Sequence, residues 1–408
     1  MVLLSTIDEW SRSLTGERAP AVVLGASVNG LSFARSLGRR RVPTLMLDDR
    51  TTAGSHTRFA TTAEVEAPAS QTEAWAETLL RLGRQLPRRA VLFPTSDAHC
   101  VLAAKSPALR EYYDYLLPEP STLDRIVDKH LQYQDASAAG VAIPHTCFPA
   151  DTAEARRLAK DLSYPCIIKP YKSHERRRLS FAGKVSLVSS AEELARELAR
   201  FEGEALEVMI QEIVPGGDDQ LFGYLGFWDG EGRERTWLTK RKLRQSAPFG
   251  DGSFQEAVRA PEVAELSRKL LSAIGYQGFV GVEFRLDPRD GSYRLMEINP
   301  RTVSGNQLAI SAGVDFPWLG YLHATGQLGE GPADPFREGT RYVNEMWDLR
   351  AYLRLRKTEK LRFSSWLRSL ITAEAKAFGA WDDPMPLLQT GRRLARAVVR
   401  REWRSVAG

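Results

Sequence analysis

Residues Gly281 to Arg301 read GVEFRLDPRDGSYRLMEINPR. Two apolar runs flank a turn at Pro288 to Ser292, the pattern of a β-hairpin, and one acid interrupts each run, Glu283 in the first and Glu297 in the second. Side chains alternate along a strand, so Glu297 and Asn299 share a face, and antiparallel pairing brings Glu283 beside them. Two carboxylates and an amide oxygen on one face form a hard-oxygen donor set suited to Mg²⁺ carrying a polyphosphate, with Mn²⁺ as the alternative. Arg301, two residues on, falls on the same side if the chain stays extended and could neutralise charge on a transferring phosphoryl group. The competing reading is a solvated sheet face whose polar residues alternate outward.

Upstream residues favour the first reading. Lys169 closes the apolar run Cys166 to Ile168 and precedes Pro170, and Lys129 lies in Asp128-Lys129-His130 on a helix. A lysine at the inward end of a buried strand needs an anion, and a nucleotide phosphate supplies one. Between these positions and the hairpin, Met209 to Asp219 reads MIQEIVPGGDD, a strand that stops at Pro-Gly-Gly, where exposed backbone could hydrogen-bond a purine. Thr239 to Gln245, TKRKLRQ, is a basic patch leading into a Gly-rich loop, Pro248 to Ser253, and reads either as a phosphate contact or as a charged hairpin end.

Further out, residues 20 to 50 alternate an apolar run, a turn bracketed by Gly25 and Gly30, an amphipathic stretch and a second apolar run ending at Asp48 and Asp49. This is a β-α-β unit without the G-x-G-x-x-G spacing of a dinucleotide site, so a plain doubly wound domain is expected. Helices are expected over 74–86, 123–139, 153–162 and 191–201. Strands are expected over 90–94, 166–169, 207–214, 221–227, 236–242, 278–286 and 293–298, with a mainly helical segment from Arg341 onward.

With 408 residues, 43% apolar and 26% charged, the chain is neither disordered nor fibrous. It carries no apolar run near the ~18 residues of a membrane span and no signal-peptide pattern, so the cytosol is the expected compartment. Cys100, Cys147 and Cys166 are scattered and read as small buried side chains. The net charge of +5 is uneven, much of it lying in Gly391 to Arg404, GRRLARAVVRREWR, so the body of the protein is not expected to bind nucleic acid. That segment reads as a basic amphipathic helix with Arg392, Arg396, Arg400 and Arg404 on one side. It is expected to pack within the fold or an oligomer, with peripheral contact to an anionic membrane as the alternative.

The order Lys129, Lys169-Pro, Gln211-Glu-Ile-Val-Pro-Gly, Lys242, Glu283 and Glu297-Ile-Asn299-Pro-Arg301 resembles the ATP-grasp superfamily over about residues 20 to 330. It looks most similar to the carboxylate–amine ligases of the D-aspartate ligase-like branch. The resemblance implies an α/β doubly wound domain at 1–118, a two-part α+β ATP-grasp domain (119–205 and 206–332), and a helical basic extension at 333–408. It further implies that Lys129 and Lys169 hold ATP phosphates, that Gln211, Glu212, Ile213 and Val214 line an adenine slot, and that Asp219 meets the ribose. Glu283, Glu297 and Asn299 would hold Mg²⁺, and Lys242 and Arg301 would serve the γ-phosphate and acyl-phosphate, with Lys240 as runner-up to Lys242.

The family's Gly-rich phosphate-covering loop is replaced here by Ser173 to Lys184, SHERRRLSFAGK, whose arginines could substitute by charge or read an acidic substrate. The expected activity is ligation of a small carboxylate to an amine through an acyl-phosphate, with a homodimer as the expected assembly. A phosphotransferase, a catalytically silent ATP-binding module and a nicotinamide-dependent oxidoreductase are the rivals.

Overall fold

The computed structural model describes residues 2–68, 70–158, 162–171, 185–199, 207–329, 336–358 and 361–399. The apolar runs Ala21–Leu24 (β1), Thr44–Asp48 (β2) and Ala90–Pro94 (β4) join Thr61–Glu64 (β3) and Tyr113–Asp114 (β5) in a parallel sheet of order β3-β2-β1-β4-β5. All four residues of β1 are buried, as a central parallel strand requires. After β1 the chain turns at Gly25 with φ +103°, and a Cβ on Gly30 would lie 1.8 Å from the Gly25 carbonyl oxygen, so both positions need glycine. The Asp48 carboxylate accepts the Ala26 N–H, and burial raises its pKa to about 6. The acid that a dinucleotide-binding domain would offer to a ribose therefore serves the turn's own backbone.

The single helix expected over 123–139 is two, Pro120–Val127 and Lys129–Ala138. Asp128 is extended between them and caps the second by accepting the N–H groups of His130 and Leu131. The break makes Lys129 the first residue of a helix, with its N–H donated to the Tyr171 carbonyl.

Thr146–Cys147 (β6), Cys166–Pro170 (β7), Ser186–Val188 (β8) and Val208–Glu212 (β9) form an antiparallel sheet of order β6-β9-β7-β8, covered by the helices Thr152–Leu158 and Ala191–Leu198. The third sheet has seven strands. Leu221–Trp228 (β10), Glu234–Gln245 (β11), Gly252–Ala257 (β12), Gly278–Leu286 (β13), Tyr293–Asn299 (β14), Arg341–Val343 (β15) and Ala375–Lys376 (β16) lie in the order β14-β13-β10-β11-β12-β15-β16. Strand β12 begins inside the stretch expected to be a Gly-rich loop, because its polar residues Gln255 and Glu256 pair with β11, and Ser253 is buried, rather than facing water.

Val280, Val282 and Phe284 of β13 enter a core shared with the helix Pro261–Ala273, so Glu283 turns to the opposite face. Between Glu283 and Phe284 the register with β14 shifts by one residue. This bulge lets Leu295 and Ile298 both enter the core while Glu297 and Asn299 face away from it.

The C-terminal segment is mainly helical, with Glu345–Thr358, Phe363–Thr372 and Met385–Val399, yet β15 and β16 extend the seven-stranded sheet across the expected boundary at 332/333. It is also pinned to the first domain. Arg35, in the helix Val28–Arg39, pairs with Asp383 at 2.9 Å, both at most 2% exposed, and donates to the carbonyls of Ala377, Phe378 and Asp383. Asp383 also accepts from Thr57 Oγ1 and the Arg58 N–H. Cys100 and Cys166 are buried as expected, whereas Cys147 is half-buried. Among the described residues no helix is long and apolar enough to cross a membrane.

Candidate active site

A cleft of about 890 Å³ runs between the three sheets. Its floor is the polar face of β13 and β14. Glu283 and Glu297 are direct cross-strand partners, and Asn299 lies opposite Gly281 one step along. Two carboxylates side by side repel, and two lysines from different elements offset this. Lys129 Nζ donates to Glu297 Oε1 at 2.6 Å, and Lys242 Nζ of β11 donates to Glu283 Oε2 at 2.8 Å. Burial works against the charge of both lysines, but the adjacent carboxylates outweigh it and hold each pKa above the ordinary lysine value.

Lys169 is different. Its Nζ donates to the amide oxygen of Gln211 at 3.0 Å, and Gln211 is held below by Tyr133 Oη and Thr146 Oγ1, each at 2.9 Å. With burial first and the charge of Lys129 second, its pKa falls to about 7 despite the attraction of Glu297. Among the described residues no carboxylate hydrogen-bonds this lysine, an arrangement suited to an incoming anion.

Arg301 completes the row. It pairs with Asp97 at 2.7 Å and donates to Asn299 Oδ1 at 3.2 Å. Burial opposes its charge, but Asp97 holds the pKa above the usual value. Asp97 opens the helix Asp97–Lys105, which Ser96 caps by accepting the His99 N–H. The acid's role does not show in the sequence, because Asp97 and Arg301 are 204 residues apart.

Gln211, Glu212, Ile213 and Val214 all line the cleft, although the Glu212 carboxylate is engaged by the His145 N–H and by Arg289 at 2.9 Å. Asp219 is exposed and outside the cleft lining. Asp218 lines it instead, accepting from the Gln245 N–H and Nε2 at 2.8 Å. The one-residue correction follows from the 3₁₀ turn Asp218–Gln220, which points successive side chains in different directions.

Lys242 lines the cleft, whereas Lys240 lies beneath it, 3% exposed, with its ammonium on Gln255 Oε1 at 2.7 Å. Lys240 reaches that position over Gly223, the residue between it and Glu283 in the sheet, where a Cβ would meet the lysine chain at 2.9 Å. Residues 173–184 and 400–404 lie outside the described residues, and with them the basic loop and part of the C-terminal arginine series.

The donor set fits a hard divalent cation, since the carboxylates of Glu283 and Glu297 and the Asn299 amide oxygen are all oxygen ligands on one face. Among the described residues no group of three or more His, Cys, Asp or Glu side chains forms a metal cage. Two carboxylates plus substrate phosphates are the usual holding arrangement for Mg²⁺.

The fold recurs in known proteins. A family model described as ATP-grasp in the biosynthetic pathway with Ter operon matches residues 228–346, the segment that carries β11 to β15. The N5-carboxyaminoimidazole synthetase of Staphylococcus aureus superposes with a TM-score of 0.60 over 84% of this chain and 85% of that one, at 15% identity. The chain has the fold of the ATP-grasp proteins. In sequence, the chain is similar to the D-aspartate ligase of Enterococcus faecium, 23% identical over 308 residues, covering 71% of this chain and 72% of the ligase. The biotin carboxylase domain of the Hydrogenobacter thermophilus 2-oxoglutarate carboxylase, solved with MgADP and bicarbonate, superposes with a TM-score of 0.60 over 80% of this chain and 74% of its own, at 16% identity.

Proposed function

We propose that this protein is an ATP- and Mg²⁺-dependent ligase that joins a carboxylate to an amine and releases ADP and phosphate. The observation that carries this reading is the opposed pair Glu283 and Glu297, each bound by a lysine from a separate element, at the floor of a cleft that also holds Lys169 and Arg301. In this reading 119–205 and 206–332 enclose the nucleotide, and 1–118 and 333–408 build the substrate end.

Lys129 and Lys169 bind the phosphates, and the segment from Gln211 to Val214 lies along the adenine. Glu283, Glu297 and Asn299 hold Mg²⁺, which supplies charge neutralisation at the phosphate oxygens. The substrate carboxylate oxygen attacks the γ-phosphorus, the bond to the ADP oxygen breaks, and the amine then displaces phosphate from the acyl carbon and loses a proton. A loose phosphoryl-transfer transition state asks for positioning and charge rather than covalent help, which Lys242 and Arg301 supply.

The far end of the cleft, lined by Ala26 to Asn29, Arg50 to Gly54, Trp347, Phe378 and Arg393, has two guanidinium groups. An acidic substrate fits it, and the likeness to D-aspartate ligase makes aspartate the first acid to test.

ADP and phosphate release from Mg-ATP is to be measured with D-aspartate, L-aspartate and pooled amino acids and carboxylates, for wild type and Glu297→Ala. Release that requires both a carboxylate and an amine and is lost in the variant supports the ligase. Turnover on a hydroxyl acceptor without an amine identifies a phosphotransferase, tight binding with no turnover in any pool a silent module, and AMP with pyrophosphate excludes the acyl-phosphate route.

A further inference from the structure

Among the described residues, seven of the nine large apolar side chains that stand exposed lie between residues 363 and 388. Three of them make a stripe. In the helix Phe363–Thr372, Phe363, Leu367 and Ile371 recur every four residues and are 56%, 40% and 69% exposed, while Trp366 turns inward and donates its indole N–H to Asp348. Beyond the helix, Trp381 is 94% exposed. The helix Glu345–Thr358, which packs against this one, ends in exposed Arg356 and Lys357. Arg362 and Arg368 flank the stripe and are exposed.

We propose that the helix Phe363–Thr372 docks the protein on an anionic lipid surface, its apolar stripe entering the headgroup boundary and the surrounding arginines meeting the lipid charges. An amphipathic helix with cations beside its apolar face binds such a surface by apolar burial and electrostatic attraction together, and an exposed tryptophan suits the interface. The charge argues against a second copy of the chain as the occupant, because a two-fold contact through this face would set these exposed cations against their own copies. The site lies outside the cleft, so the proposal is independent of the ligase reading. It also moves membrane contact away from 391–404, where the sequence alone placed it as an alternative.

The test is co-sedimentation of the full chain with vesicles of phosphatidylcholine alone and of phosphatidylcholine mixed with phosphatidylserine, for wild type and for the double variant Leu367→Asp, Ile371→Asp. Both positions are exposed, and thermal unfolding confirms that the variant is folded. Wild type is expected to favour the anionic vesicles by at least about tenfold, to lose that preference at high salt, and to lose binding in the variant. Equal partition onto both vesicle types, retention of binding by the folded variant, or no vesicle binding alongside a wild-type dimer that the variant dissolves would each overturn the proposal.

Discussion

Replacing Lys169 with methionine removes the ammonium from the cleft while keeping most of its apolar stem, and it isolates a proton that nucleotide binding must supply. Lys169 titrates at about 7 in the free protein, so at pH 8 roughly a tenth of it is charged. A phosphate within about 4–6 Å raises a lysine pKa by roughly 1–3 units, which drives the bound state toward full protonation. Binding of Mg-ADP at pH 8 should therefore take up about 0.4–0.9 of a proton. Affinity should weaken by up to about tenfold per pH unit above 7, until the bound pKa is passed.

Calorimetry in two buffers of different ionisation enthalpy reads the proton count directly, and above pH 7.5 the nucleotide's own ionisation contributes little. Lys169→Met should bind more weakly at pH 6.5 and show no such uptake. Equal uptake in wild type and variant would refute the reasoning. The same shift acts on stability. Because the folded pKa lies below the ordinary value of 10.5, the folded protein holds fewer protons than the unfolded chain between about 7 and 10.5, and this group favours folding more as pH rises through that window.

Glu297→Ala should abolish ADP release and strand the buried Lys129 ammonium, costing more than a surface pair, about 3 kcal/mol by denaturant unfolding. Arg35→Met strands the buried Asp383 carboxylate and should cost about 3–5 kcal/mol in the same assay, whereas Arg39→Met, facing the exposed pair with Asp382, should cost under about 1 kcal/mol. If the cleft's far end reads an acidic substrate, Arg393→Ala should raise KM for that substrate about tenfold or more with KM for ATP unchanged, by steady-state kinetics.

The hairpin was legible because polar residues interrupting apolar strands leave a period-two signal that burial alone does not explain. Glu283, Glu297 and Asn299 were found that way, Lys169 from its place at the end of a buried strand, Lys129 from a helix and Lys242 through the resemblance, and the structure brings all six to one cleft. What stayed hidden lacked local grammar. Strand β12 is polar along most of its length and forms because β11 pairs with it, while β15 and β16 are too short to show alternation. The Asp128 break looked like a continuous helix because a capping aspartate does not announce itself between two amphipathic runs. Asp97, Arg35 and Asp383 act through partners more than 200 residues away, a separation that periodicity does not encode.

The buried link between Arg35 and Asp383 sets a schedule for the protein's birth. The two residues are separated by 348 positions, which at roughly 5–20 residues per second is about 20–70 s of ribosome time. Throughout that interval the helix Val28–Arg39 exists without the partner that satisfies its guanidinium, and the cleft lacks Phe378 and Arg393 from its wall. A nascent chain stalled before Asp383 would therefore carry the phosphate-facing carboxylates and lysines but an unfinished wall at the opposite end.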